Sequence, residues 1–297
     1  VSSVLVSSVS SPAAPAAPAA SRRRGWRGWP WLRGRILFWV FAVVMAVFML
    51  GPLVWLAVDA FAGVWTYPDM FPSVWTTNWW NHVFGDSTLM PSVELSFILT
   101  PIVTVVSMAI CLPAAYAFAR LKFPGRQFIL VMIFATNAFP KMGLFISLAS
   151  LFYALNLMGT YVGIIIVQLI GTVVFMTWIP AAAFASVPPS LEEAARDAGA
   201  GALRTFLRVT FPMAAPGILV AVILSFLAAF DEAQGTFMVG APTIITMPTE
   251  MYNLIGHYPS QVSAVFSILL SIPSVLLMLA VRRHVMSGAL AEGFQLR

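Results

Sequence analysis

The sequence predicts an all-α, polytopic membrane protein with six transmembrane helices, a short outer re-entrant helix and short helices exposed to the cytoplasm. Three observations carry this reading. Hydrophobic residues fill 60% of the 297 positions and charged residues only 9%, where a soluble domain holds about 25% charged residues. The apolar residues gather into runs comparable to the roughly 20 residues that a bilayer core requires. Every Lys and Arg except Lys141 falls on one side of those runs when they are threaded in turn, the asymmetry that sets orientation in a bilayer.

Residues 1 to 21 are Ser, Val, Ala and Pro without charge or period, so a disordered tail is expected there. The tail does not read as a secretory signal, because Arg22, Arg23, Arg24 and Arg27 follow its mild apolar stretch instead of preceding it. Trp26, Trp29 and Trp31, interleaved with Arg27, Arg33 and Arg35, form the aromatic and basic belt of a membrane entry. Residues 1–34 are therefore expected to be a cytoplasmic tail with a basic, Trp-rich entry segment.

The first span is expected from Ile36 to Val58 and the second from Leu95 to Ala119. The third begins near Phe128 and is interrupted at Phe139-Pro140-Lys141, where proline ends or kinks a helix. The apolar stretch from Gly143 to Leu155 is too short to span, so a re-entrant or interfacial helix at the outer face is expected. The fourth span covers Val162 to Ala185, the fifth Gly217 to Val239 and the sixth Val262 to Val281. A membrane domain of 35–285 and a cytoplasmic C-terminal tail of 286–297 follow. The N-terminal arginines, Arg120, Lys122 and Arg126, Arg196, Arg204 and Arg208, and Arg282, Arg283 and Arg297 place both termini inside. Segment 59–94, which holds no Lys or Arg, and the segment from Pro242 to Pro259 face outward.

One long polar interruption breaks the second half of the chain, from Ser190 to Pro212. Pro188-Pro189 ends the fourth span, and Ser190 with Glu193 three residues on predicts a capping box, with a helix from Leu191. That helix should end near Gly199 and Gly201. A second helix, from about Ala202 to Val209, puts Leu203, Phe206 and Leu207 on one side and Arg204 and Arg208 on another, and Pro212 is expected to stop it.

These residues resemble a known signature. Glu193, Ala194 and Ala195, Gly199 four residues later, Phe206, and a hydrophobic ending at Val209-Thr210-Phe211-Pro212 look like the coupling loop of binding-protein-dependent ABC importer permeases. Ile223 to Glu232, Phe139-Pro140, Phe123 to Arg126 and the tail with Val285, Gly288 and Gly293 are similar to the second permease subunit of maltose-type sugar importers. The resemblance covers about 35–297. Asp197-Ala198-Gly199 departs from the Asp-Gly of the sugar group and is closer to polyamine-type permeases, as are Gly240 to Pro242 and Met247 to Tyr252.

The resemblance implies a permease subunit that forms half of a translocation pathway. It would couple, through Glu193, Ala194, Ala195, Gly199, Arg204, Phe206 and Pro212, to a cytoplasmic ATPase dimer that binds the ATP and Mg. It also implies a second, different permease subunit, an extracytoplasmic solute-binding protein and the bacterial cytoplasmic membrane. The substrate reading is a carbohydrate, with a polyamine or other small organic cation as the alternative.

The residues themselves are consistent with this division of labour. No phosphate-binding Gly-rich loop, His-Glu-x-x-His or Gly-x-Ser-x-Gly motif occurs, so no catalytic residue and no cofactor are expected in this chain. The lone Cys111 and the scattered His82, His257 and His284 suggest no metal site. The basic residues flank apolar spans, which argues for lipid and against nucleic acid. Charges inside spans are costly and default to function, so Asp231 and Glu232 in the fifth span are the leading pathway candidates; Asn137, Gln168 and Gln234 are weaker ones, since interhelical hydrogen bonds explain such residues as often. An intramembrane enzyme built on Asp231 and Glu232, or a membrane scaffold, are the rival readings from other classes.

Overall fold

A computed structural model describes residues 29–66 and 68–284, with side chains from Gly34 to Ala280. The tail 1–21, the cluster Arg22 to Arg27 and the C-terminal segment with Gly288 and Gly293 lie outside the described residues. Close contacts divide the chain into two units, 1–52 and 53–297. Helix α1 (Trp29–Asp59) runs through that boundary and begins earlier than the expected Ile36.

The segment after α1 is ordered as a two-stranded antiparallel hairpin, β1 (Ala62–Val64) and β2 (Val74–Trp75), followed by α2 (Asn78–Gly85). Trp79 Nε1 donates to the Ala62 carbonyl at 2.7 Å and ties α2 to the hairpin. The Asp86 carboxylate accepts the amides of Thr88 and Leu89 at 2.7 and 3.2 Å, satisfying orphan donors at the start of α3 (Leu89–Arg120). The second span therefore starts before the expected Leu95.

The third span breaks at Phe139-Pro140 and a short helix follows it, both as expected, but the helix before the break is itself short. Helix α4 (Arg126–Ala135) tightens into a 3₁₀ turn at Thr136–Ala138, and α5 (Lys141–Ala154) leaves it at 101° across Phe139-Pro140. At ~1.5 Å per residue α4 falls well short of a ~30 Å core. Among the described residues five helices are long and apolar enough to cross a membrane, and a sixth crossing exists only if this bent pair is one span.

Helix α6 (Tyr161–Ser186) is the fourth span, with Thr160 Oγ1 accepting the Gly163 amide at 3.1 Å as its N-cap. The polar stretch forms α7 (Pro189–Asp197) and α8 (Ala202–Thr205). A π turn at Phe206–Thr210 then leads directly into α9 (Phe211–Phe230). Next come α10 (Gln234–Gly240), α11 (Met247–His257) and α12 (Ser260–His284). Helix α11 has no counterpart in the sequence reading; its Glu250 is 2% exposed and accepts from Asn253 Nδ2 at 3.2 Å.

Helices α3, α6 and α9 pack together as the core of the second unit. Lipid offers apolar side chains an environment as good as a neighbouring helix, so close packing and hydrogen bonds must hold such helices together. A Cβ on Gly217 of α9 would stand 2.6 Å from the Ala183 Cβ of α6, so the two backbones meet where glycine faces alanine. Where the three helices converge, Thr172 Oγ1 lies 2.8 Å from Ser107 Oγ and Ser225 Oγ donates to the Thr172 carbonyl at 3.4 Å, all buried.

Candidate functional site

Two regions gather the residues singled out by the sequence: the polar stretch after α6 and the break after α9. The capping box does not form. Pro189 occupies the first helical position, where its fixed φ fits and its missing N–H costs nothing. Ser190 is thereby drawn inside α7 and caps nothing through its side chain. The end of α7 is as expected: Gly199 adopts φ 85°, with Ala200 N donating to the Ala195 carbonyl and Gly199 N to that of Arg196, each at 2.9 Å.

Pro212 does not stop the following helix, and residues 202–230 run as one span. The π turn explains this. Phe211 N reaches back to the Phe206 carbonyl, and the widened turn moves the preceding carbonyls away from the pyrrolidine ring that an ordinary α turn would force against them.

Orientation divides the stretch into an inner and an outer face. Phe206 turns inward, edge-on to Tyr116 of α3 with ring centroids 5.0 Å apart, and 5.9 Å from Phe184 of α6. It is an anchor and parts from Leu203 and Leu207, with which the spacing grouped it on one side and which stay exposed. The inward carboxylate is Glu192, which the sequence reading missed. It is 6% exposed, and its Oε1 accepts from Arg120 Nε and Nη2 at 3.1 and 2.7 Å and from Thr210 Oγ1 at 2.7 Å. Arg120 Nη2 also donates to the Val187 carbonyl at 2.9 Å. The signal was present as two adjacent glutamates, but only packing tells which of them faces in.

Glu193, Ala194, Gly199, Gly201, Arg204, Arg208 and Pro212 are exposed, Ala195 is half-buried, and Leu191, Leu203 and Leu207 are 42, 71 and 54% exposed. A Cβ at Gly201 would meet nothing, so packing within this chain gives no reason for a glycine there.

The second region lies where the expected fifth span breaks. Helix α9 ends at Phe230, and Asp231 and Glu232 occupy the break, not the middle of a continuous helix to Val239. Glu232 Oε1 accepts the Gly235 amide at 2.9 Å, and its Oε2 accepts the Thr236 amide and hydroxyl, each at 2.8 Å. This carboxylate caps α10. Gln168 of α6, 2% exposed, donates from Nε2 to Thr236 Oγ1 at 3.3 Å. Gly235 sits against Val167 and the Phe145 ring, and the Val239 carbonyl accepts the Gly159 amide at 2.8 Å. Asp231 is exposed, Asn137 is exposed in the 3₁₀ turn after α4, and Gln234 is half-buried at the start of α10. No hydrogen bond joins these three to one another among the described residues. No three His, Cys, Asp or Glu side chains gather into a metal-binding group among the described residues.

A membrane domain with a buried anchor and an exposed polar loop between its spans matches one family over residues 107–287: the binding-protein-dependent transport system inner membrane component. The chain belongs to this family. It is therefore a multi-pass membrane component of a transport system and not an enzyme. The trehalose/maltose transport system permease protein MalG of Thermococcus litoralis is 28% identical over 86% of the chain and 95% of that protein. The trehalose transport system permease protein SugB of Mycobacterium tuberculosis is 29% identical over 68% of the chain and 74% of that protein. Among solved structures, a bacterial ABC transporter involved in the import of the acidic polysaccharide alginate superposes with a TM-score of 0.65 at 19% identity, covering 84% of this chain and 96% of that one. At that identity the likeness speaks for the fold alone.

Proposed function

We propose that the chain is the permease subunit of an ATP-driven carbohydrate importer and encloses half of the translocation pathway. In this reading a second permease subunit completes the pathway, a cytoplasmic ATPase dimer binds ATP and Mg, and an extracytoplasmic binding protein delivers the solute. Both termini and the loop from Ser190 to Pro212 face the cytoplasm, in keeping with the Lys and Arg asymmetry.

The observation that carries the reading is the two-faced loop. Its inner side chains are bound to α3 and α6, while Leu191, Leu203 and Leu207 stay exposed beside Glu193, Arg204 and Arg208, a mixed patch suited to a protein groove. Carbohydrate as substrate rests on the sugar transport named for the similar permeases. Asp231, with a carboxylate left open at the break, is the pathway residue of choice; Glu232 serves the helix it caps.

Reconstitution with the ATPase, second permease and binding protein tests the reading. Trehalose or maltose should stimulate ATP hydrolysis and accumulate in vesicles, and Glu193→Lys should abolish both. Stimulation by a polyamine and not by these sugars would overturn the carbohydrate assignment, and full activity in a chain lacking 190–212 would overturn the role of the loop.

A further inference from the structure

The loop is held by more than the two spans that flank it. Arg120, the last residue of α3, binds the Val187 carbonyl at the end of α6 and Glu192 in the first turn of α7, whose Oε1 also takes the Thr210 hydroxyl of the π turn. One guanidinium thus gathers the ends of α3 and α6 and both arms of the loop. The side chains of this pair are only 14 and 7% exposed, so removing one member would leave the other charge buried without its counter-charge, a strongly unfavourable state. Tyr116 stands one turn before Arg120 on the same face of α3 and meets Phe206 edge-on at 5.0 Å. The grip on the loop therefore has two points, one ionic and one aromatic, both on α3.

Above these points α3 is weakened. Pro113 lacks the N–H that would bond the Ala109 carbonyl, and a surface groove of about 390 Å³ lies beside it, lined by Met108, Ala109, Leu112, Pro113, Tyr116 and Phe206, with Ala109 and Pro113 exposed. A helix end clamped to the loop, with a proline and free volume one turn further up, is built to be moved as a piece.

Resting on the importer reading above, we propose that Arg120 and Tyr116 are positioning residues that make the cytoplasmic end of α3 move with residues 187–212 as one body, flexing at Pro113. A force applied to α7 then reaches α3 directly instead of being lost at the glycines Gly199 and Gly201. Glu192 belongs to this clamp and Glu193 to the outer face.

The test uses the complete importer in proteoliposomes and reads solute uptake per ATP hydrolysed by assembled complexes. Arg120→Gln and Glu192→Gln should lower that ratio roughly tenfold, the scale on which substitutions along a coupling route act, while the ATPase stays bound and hydrolyses ATP. In a Cys111→Ser background, Arg120→Cys with Glu192→Cys should be equally uncoupled and should regain uptake when a short thiol-reactive cross-linker bridges the two positions. A purely structural role would lower the yield of complexes and leave uptake per ATP unchanged, which would overturn the proposal. So would a bridge that blocks uptake, because α3 and the loop would then have to part during the cycle. Failure of the unsubstituted complex to take up solute at all would instead overturn the importer reading.

Discussion

Replacing Glu232 by Ala removes three hydrogen bonds at once: to the Gly235 amide at 2.9 Å and to the Thr236 amide and hydroxyl at 2.8 Å each. Loss of a capping acceptor costs about 1 kcal/mol, and a hydrogen bond to a charged group contributes about 1.5–3 kcal/mol. Thr236 is fully buried, so water does not replace the lost acceptor. The sum for local opening of the first turn of α10 is about 2.5–4 kcal/mol. At about 1.4 kcal/mol per factor of ten, the amides of Gly235 and Thr236 should exchange with deuterium at least about 60-fold faster in Glu232→Ala. Glu232→Gln keeps one carbonyl oxygen as acceptor and should fall between the two. Exchange should stay unchanged in the first turn of α7, which is remote in sequence and shares no bond with Glu232. The measurement is hydrogen–deuterium exchange of the detergent-solubilised protein, read by mass spectrometry. Acceleration of less than about threefold at residues 235 and 236 would refute the cap and return Glu232 to the pathway.

Gly235→Ala places a methyl 2.7 Å from ring carbons of Phe145; overpacking of this kind costs about 1–3 kcal/mol and should lower the unfolding temperature, whereas Gly201→Ala, which meets nothing, should leave thermal stability at the wild-type level. Gly199→Ala, at φ 85°, should destabilise α7 by about 1 kcal/mol, visible as faster exchange at the Gly199 and Ala200 amides. The region around Asp86 and Glu250 should have a pH optimum. The Thr88 amide, helped by that of Leu89, His82 and Tyr258, holds the Asp86 carboxyl below its usual range, so its stabilisation exists above the ordinary carboxylate range and is lost as pH falls through the lowered value. Burial pushes Glu250 up, aided by Asp86 and opposed by Asn253, so its contribution is complete below the ordinary range and is lost as pH rises through the raised value. Thermal stability against pH should show both limbs, and Glu250→Gln should flatten only the alkaline one; an unchanged profile would remove Glu250 from the account.

The apolar runs made α6 legible almost to the residue, because lipid tolerates backbone only when its hydrogen bonds are made internally and hydrophobic length then sets helix length. The end of α7 at Gly199 was legible for a similar reason: a left-handed residue is needed there and glycine takes that conformation without strain. The misreadings share a cause. Ser190, Pro212 and the stretch from Phe230 to Gln234 were read from local chemistry, and each was decided by a neighbour: Pro189 taking the first helical position, the π turn absorbing Pro212, and Glu232 turning back to cap α10.

The sequence by itself determined the class of molecule, its family and the position of the polar loop, since these follow from hydrophobic length, charge placement and a short pattern of residues. Tertiary structure alone decided which carboxylate faces where. Glu192 and Glu193 are adjacent and chemically identical, as Asp231 and Glu232 nearly are, and nothing local separates them. Arg120, far away in the chain, makes Glu192 the buried member of its pair, and the start of α10, with Thr236 held by Gln168, makes Glu232 a cap. Charged groups are committed by the partners that the fold brings to them: for Glu192 a guanidinium far away in the chain, for Glu232 the amides of the next helix, which the break after α9 frees to be capped.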